Sequence, residues 1–391
     1  MTSNKRQHTD YGGWSHLLPV LVLCLALIAP RPASHWNHSE PGSRGNLTPT
    51  EFSRLIQDCS EEGGYFFSDN LVSNETPYLT IVDKLKQLSL PGGAYIGVGP
   101  EQNFTYIAKL RPSIAFIIDI RRQAIIQHLM YKALFQLSPN RLEFISHWLS
   151  KPLTKEAPSP DDSITTMLAY FRNTQGNEQA YAANLAAVRK AIQVDFQFPL
   201  AARDLLSLEE VLKSFRDRGL DTAFTLNGWS DGEFPTLSEV ILQPDQYGKI
   251  GNFLASREDY DFVRGLHQKN LIIPVVGDFG GKKALASIGD YLRKNGISVS
   301  AFYTSNVEQY LFDDGSFAAF AKNVKNLPIT EKSLFIRWVY QRYFHPARLD
   351  GQRSTSLLQK INVFLSDFEA GKYQSYTDLI TTNYIAPDKL R

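Results

Sequence analysis

Residues 92–123 read GGAYIGVGPEQNFTYIAKLRPSIAFIIDIRRQ. AYIGV (94–98) is apolar and β-prone, and it runs into a Gly-x-Gly turn at Gly97 and Gly99. QNFTYIAKL follows as a helix, and Arg111-Pro112 ends it because a residue before proline avoids the helical region. SIAFIIDI (113–120) is apolar until Asp119. A strand buried on both faces is what a parallel sheet requires. The segment is therefore a strand–turn–helix–strand crossover. A glycine turn between strand and helix lets a ligand approach the backbone closely, beside a helix N-terminus that favours negative groups. An acid about 20 residues on, at the end of the second strand, can accept hydrogen bonds from ribose hydroxyls. Asp119 lies 22 residues beyond Gly97 and has that placement. The plainer alternative is an ordinary tight turn, with Asp119 capping the helix that opens at Arg121-Arg122. One of those arginines can pair with an acidic ligand group, or with Glu101, Asp119 or another neighbour.

Outward from this crossover, the chain repeats the pattern. Upstream, TPTEFSRLIQDCSEE predicts a helix that Thr48 or Thr50 can cap. YLTIVDKLKQL predicts an amphipathic helix with Leu79, Val82, Leu85 and Leu88 on one face. Downstream, a long helix runs from Arg121 to about Leu137, and another covers NRLEFISHWL. A Pro-rich break at 151–164 leads into helical residues to 219, read as an insertion (151–219) in a sheet domain of two halves, 50–150 and 220–345. DTAFTLNG (221–228) is a candidate strand. LIIPVVGDFGG is a second strand with a glycine turn, expected beside the first strand of the sheet, and ISVSAFYTSNVEQYLF supplies the next. SLFIRWVYQRYF is a late strand, and the tail 346–391 reads as helical in its first half. Strands alternating with helices predict an α/β fold, a doubly wound and mostly parallel sheet that binds ligands beyond the carboxyl ends of its strands.

Composition excludes several classes. The 391 residues are 43% hydrophobic and 21% charged with a net charge of +1, so the chain is neither disordered as a whole nor built with the basic footprint of a duplex nucleic-acid binder. The histidines stand apart without ligand spacing, and no metal is implied. Cys59, in a polar segment with no histidine near it in sequence, is a remote candidate thiol. Residues 17–29, LLPVLVLCLALIA, follow Lys5 and Arg6 and precede APRPAS. That is the pattern of an export signal, or of an uncleaved anchor associating with a membrane; a third option is that translation starts downstream of it. Residues 35–49 read as a linker.

Three polar constellations surround the crossover. SDNLVSNE places Asn70, Asn74 and Glu75 just before the core, where amides and hydroxyls can hydrogen-bond the amino and carboxylate ends of a ligand or simply form a turn and cap. GDFGG puts Asp278 at a strand end, as a pocket acid or a helix cap. TSNVEQYLF offers Asn306, Glu308, Gln309 and Tyr310, and Glu308 is the best carboxylate candidate for a general base.

With these residues in place, the crossover resembles class I S-adenosylmethionine-dependent methyltransferases. From SDNLVSNE to about HWLSKP it is similar to an uncharacterised bacterial family that shares this core. The resemblance covers about residues 50–310. It implies that Gly97 and Gly99 line the methionine side of the cofactor, that Asp119 holds the ribose and that Ile120 flanks the adenine. It also implies that Asp278 borders the pocket and that the cofactor is S-adenosylmethionine, with Glu308 or Asp278 taking a proton from an acceptor that carries one. Tyr95 stands where that family usually has an acid, and Glu101 where it has a third glycine. The expected function is methyl transfer to an unknown acceptor; the cofactor argues for the cytoplasm, where it is made, while the signal-like segment argues for export or membrane anchoring. The rivals are a non-catalytic, exported or anchored binding module of the same fold and, less well matched, a dinucleotide oxidoreductase.

Overall fold

A computed structural model describes residues 45–226 and 234–388, all within the compact unit Pro41–Arg391. The readings of residues 1–34 lie outside the described residues. Helix α1 (Pro49–Cys59) starts with a capping box, in which the Thr48 hydroxyl accepts from the Glu51 N–H and Glu51 accepts from the Thr48 N–H. Helix α2 (Val82–Leu88) leads to β1 (Ala94–Gly97), α3 (Gln102–Leu110) and β2 (Ile114–Asp119). Helices α4 (Arg122–Leu137), α5 (Arg141–Leu149), α6 (Ile164–Asn173), α7 (Glu178–Lys190), α8 (Ala202–Arg218), α9 (Leu237–Ile241) and α10 (Arg257–Gln268) separate β2 from β3 (Ile272–Val276). Then come α11 (Ala284–Lys294), β4 (Val299–Ser305), α12 (Val307–Asp313), α13 (Phe317–Lys325), β5 (Leu334–Val339), β6 (Thr355–Lys360), α14 (Ile361–Glu369) and α15 (Tyr376–Thr381).

The six strands take the order β3-β2-β1-β4-β5-β6. All neighbours are parallel except β5 and β6. This is a mostly parallel α/β sheet, compatible with a Rossmann-like fold, with its switch point between β1 and β4. Helices α3, α4 and α10 pack together in one layer, and α11, α13 and α14 in another. β1, β2 and β3 are buried along their whole length, as strands covered on both faces must be.

Three expectations change. The strand after Leu271 does not lie beside β1: it pairs with β2, Asp119 opposite Val276, and forms the edge of the sheet. The neighbour of β1 is β4. The tail read as helical contributes β6 before α14, because TSLLQK is buried and pairs antiparallel with β5. Among its described residues DTAFTLNG forms only isolated bridges, one of them Ala223 to Thr236, and no strand. No helix of the described residues is long and apolar enough to cross a membrane.

Candidate functional site

The carboxyl ends of β1 to β4 open into one cavity of 460 Å³, with the segment 65–75 and helix α12 forming the rest of its wall. A larger concavity of 580 Å³ lies against α6, but it is shallow and its only titratable side chain is Tyr170.

The two glycines of the turn do different work. Gly99 has φ +81°, and a Cβ added there would meet nothing closer than Asn70 Nδ2 at 3.7 Å, so its backbone faces the cavity. Gly97 does not line the cavity, contrary to expectation. A Cβ there would lie 2.0 Å from Asn103 Oδ1 and 2.7 Å from the Tyr95 ring. Asn103 fills that space: its amide donates to the carbonyls of Val98 (2.9 Å), Gly99 (3.1 Å) and Pro100 (2.8 Å), and its oxygen accepts from Tyr95 Oη at 2.9 Å. Tyr95 thus braces the turn from below. From behind, His128 Nε2–H donates to the Gly99 carbonyl at 2.9 Å, and burial pushes its imidazole down to about 4, so it is neutral.

Asp119 lines the cavity but is already engaged. Its Oδ1 accepts from the Arg121 backbone N–H and from Nε, both at 2.9 Å, and its Oδ2 from Nη2 at 2.7 Å. Arg121 Nη1 donates to the carbonyls of Ser68 (2.9 Å) and Asp69 (2.6 Å). Of the partners open to it, the arginine takes Asp119 and ties the segment 65–75 to β2. Oδ2 retains accepting capacity toward the cavity. Ile120 also lines the wall, with its carbonyl held by Gly64 N–H at 2.8 Å. Beyond β3, Asp278 is half-buried and accepts from Gly280 N–H at 2.8 Å. Burial raises its carboxyl, helped by the charges of Asp314 and Glu61.

The segment SDNLVSNE reaches the same wall. Asn70 adopts φ +47°, and its Oδ1 is buried without a partner. Asn74 and Glu75 line the cavity with it. Glu75 accepts from Gln102 Nε2 at 3.1 Å and from Ser305 Oγ, and burial pushes its carboxyl up to about 7. Glu101 is fully buried, is pushed up to about 7 by that burial, accepts from Ser73 N–H at 3.1 Å and leaves Oε2 without a partner.

Glu308 is not in this wall. It points into the core, where Arg337 Nε donates to it at 2.8 Å, so it is not placed to serve as a base. Val307, Tyr310, Leu311 and Asp313 are the α12 residues that line the cavity, while Gln309 is buried off it. Cys59 is buried, and the resulting desolvation pushes its thiol up to about 12, which removes the thiolate chemistry. No group of acids, cysteines and histidines among the described residues could hold a metal.

Sequence reasoning missed the aromatic side of the site. Phe66 and Phe67 lie 4.3 Å apart with their rings tilted by 32°, and Tyr310 meets Phe66 edge-on at 5.4 Å. The available signal was the run YFF in a segment that fits neither helix nor strand. Residues 70–389 match the family described as a domain of unknown function, DUF7790. The chain belongs to that family. The DUF7790 match takes in all six strands and the wall from Asn70 onward; the aromatic pair lies just before it. No curated protein matches the chain.

Proposed function

We propose that this chain binds S-adenosylmethionine in the cavity and belongs functionally with the class I methyltransferases, acting on an acceptor not yet identified. One observation carries the reading. The bare Gly99 backbone and the Asp119 carboxylate face one cavity, whose single lining cation among the described residues, Arg121, is already bound to Asp119. The other charged groups of the wall are Glu75, Asp278, Asp313 and Asp314. An acidic wall suits a sulfonium cation and opposes the pyrophosphate of a dinucleotide.

The residues present fit an adenosyl group. Asp119 Oδ2 is the acceptor for a ribose hydroxyl. Ile118, Ile120 and Phe279 would offer apolar surface to the base, and Asp278 an acceptor for its exocyclic amine. The orphaned Asn70 Oδ1, beside Gly99, is an acceptor for the amino-acid end. When bound, the cofactor supplies an electrophilic methyl group. The chain's own part is to align that carbon and keep water from it, under the roof of Phe66, Phe67 and Tyr310.

Calorimetry with S-adenosylmethionine, S-adenosylhomocysteine and NAD tests this. The first two are expected to bind and NAD is not. Asp278→Ala is expected to weaken both adenosyl ligands about tenfold, the loss of one hydrogen bond to a charged group. Binding of NAD alone, or of none of the three, would refute the reading. The withdrawal of Glu308 from the wall favours a second one, a binding module without catalysis, for which adenosyl ligands bind and no methyl is ever lost.

A further inference from the structure

Glu75 is a carboxylate with an unusual setting. It is 2% exposed, lines the cavity where β4 ends, and is held by three uncharged donors, Ser305 Oγ, Tyr303 Oη and Gln102 Nε2. No lysine, arginine or histidine pairs with it among the described residues. A buried carboxylate without a counter-ion is costly unless a cation arrives from outside. The same wall carries Phe66, Phe67 and Tyr310, whose ring faces attract alkylammonium groups, and the excess of acids at Asp278, Asp313 and Asp314. A carboxylate and aromatic faces in one cavity make an ammonium site.

We propose that the acceptor is an alkylamine that enters as its ammonium ion between Glu75 and the aromatic wall, and that Glu75 takes its proton. The inference rests on the methyl-donor reading above. In the step, one N–H proton passes to the Glu75 carboxylate. The freed nitrogen lone pair forms a bond to the methyl carbon of the sulfonium donor, and the sulfur–methyl bond breaks with its electron pair kept by sulfur. An ammonium, a carboxylate and a sulfonium become a methylammonium, a carboxylic acid and a thioether, so the net charge of +1 is conserved. An anionic acceptor is repelled by the wall. A hydroxyl is too weak an acid: its proton lies near that of water at about 15.7, whereas an alkylammonium lies near 10.4, roughly a thousandfold from the Glu75 range.

Ammonium binding then follows the ionisation of Glu75, which burial holds back until about pH 7. The other titratable groups facing it are the phenols of Tyr95 on β1, Tyr106 on α3, Tyr303 on β4 and Tyr376 on α15. All are pushed well above their usual range by burial and stay neutral. Glu101 titrates in the same range but does not line the cavity, so it serves as the control.

The experiment uses the full chain loaded with S-adenosylhomocysteine and titrates n-butylamine and tyramine against n-butanol and tyrosol by calorimetry from pH 6 to 8. The amines are expected to bind at least tenfold tighter than the alcohols, with affinity rising about tenfold across the range. The rise disappears in Glu75→Gln and persists in Glu101→Gln. In Ser305→Ala its midpoint moves up, because a donor to the ionised carboxylate is lost. Equal binding of amines and alcohols, a rise that survives in Glu75→Gln, or an unmoved midpoint in Ser305→Ala overturns the proposal. The Ser305→Ala midpoint decides the matter if Glu75→Gln does not fold. Loss of S-adenosylhomocysteine binding in a folded Glu75→Gln assigns the residue to the donor and also overturns it. If the wild-type chain does not bind S-adenosylhomocysteine at all, the methyl-donor reading itself fails; if it binds without any amine preference, only the present inference does.

Discussion

Asp119 shows how one carboxylate can serve a ligand and the fold together. Its fork with Arg121 holds the carbonyls of Ser68 and Asp69, so the segment that carries Asn70 and Glu75 is anchored through it. Asp119→Ala leaves a 7% exposed arginine without its partner. Breaking such a buried pair costs about 3–5 kcal/mol. The variant is therefore expected to lose stability as well as adenosyl binding, seen as a lower urea midpoint, and Asp119→Ala combined with Arg121→Met is expected to regain part of it. A midpoint unchanged in Asp119→Ala would show that the fork contributes nothing. Gly99 and Asp119 were legible in the sequence because strand–turn chemistry is local: their types and their spacing follow from the backbone path. The division of labour between Gly97 and Gly99 was not, because it depends on Asn103, whose side chain folds back over the turn from one helical turn ahead.

At the scale of elements, α12 illustrates what a motif leaves open. TSNVEQYLF places a helix at the binding edge, but the side chain that enters the cavity depends on the helix's rotation about its axis. Packing on β5 sets that rotation by drawing Glu308 to Arg337, whose Nη1 also donates to Gln359 on β6 at 2.7 Å. Glu308→Ala is expected to cost about 3–5 kcal/mol through the stranded arginine. Thermal denaturation should show a clear fall in Tm, while adenosyl affinity, measured below the transition, stays within about threefold. A tenfold loss of affinity with an unchanged Tm would instead return Glu308 to the site. β6 escaped notice for a related reason. TSLLQK is a short run buried on both faces, and periodicity cannot separate such a run from a buried helix. The rank of β3 in the sheet has no local signature either. Handedness rules limit the crossovers but do not say on which side of β2 a strand will lie.

For the molecule as a whole, buried ionisable groups make stability depend on pH. Glu101 is raised from 4.5 to about 7 on folding. The folded state then holds a proton that the unfolded chain has released, so stability present below pH 4.5 is lost as pH rises toward 7. His128 is lowered to about 4 and acts in the opposite sense below pH 6.5, which masks the effect in the wild-type curve alone. The difference between Glu101→Gln and wild type isolates it. The variant is expected to gain stability relative to wild type from pH 5 to pH 8, by on the order of 3 kcal/mol at the upper end. Denaturant titrations at a series of pH values check this, and a pH-independent difference would mean that Glu101 stays ionised.

The sequence by itself determined the alternation of strand and helix, the capped start of α1, the glycine bend and the acid that ends β2. Each is written in the periodicity and turn chemistry of contiguous residues, which act over a few ångströms along the chain. Only the tertiary structure decided the sheet order, the inward turn of Glu308, and the meeting of Phe66, Phe67, Glu75 and Asp278 around one cavity. Those outcomes depend on which surfaces exclude water together. Packing chooses between faces that look alike in sequence, and a buried charge takes whichever partner the fold brings within reach.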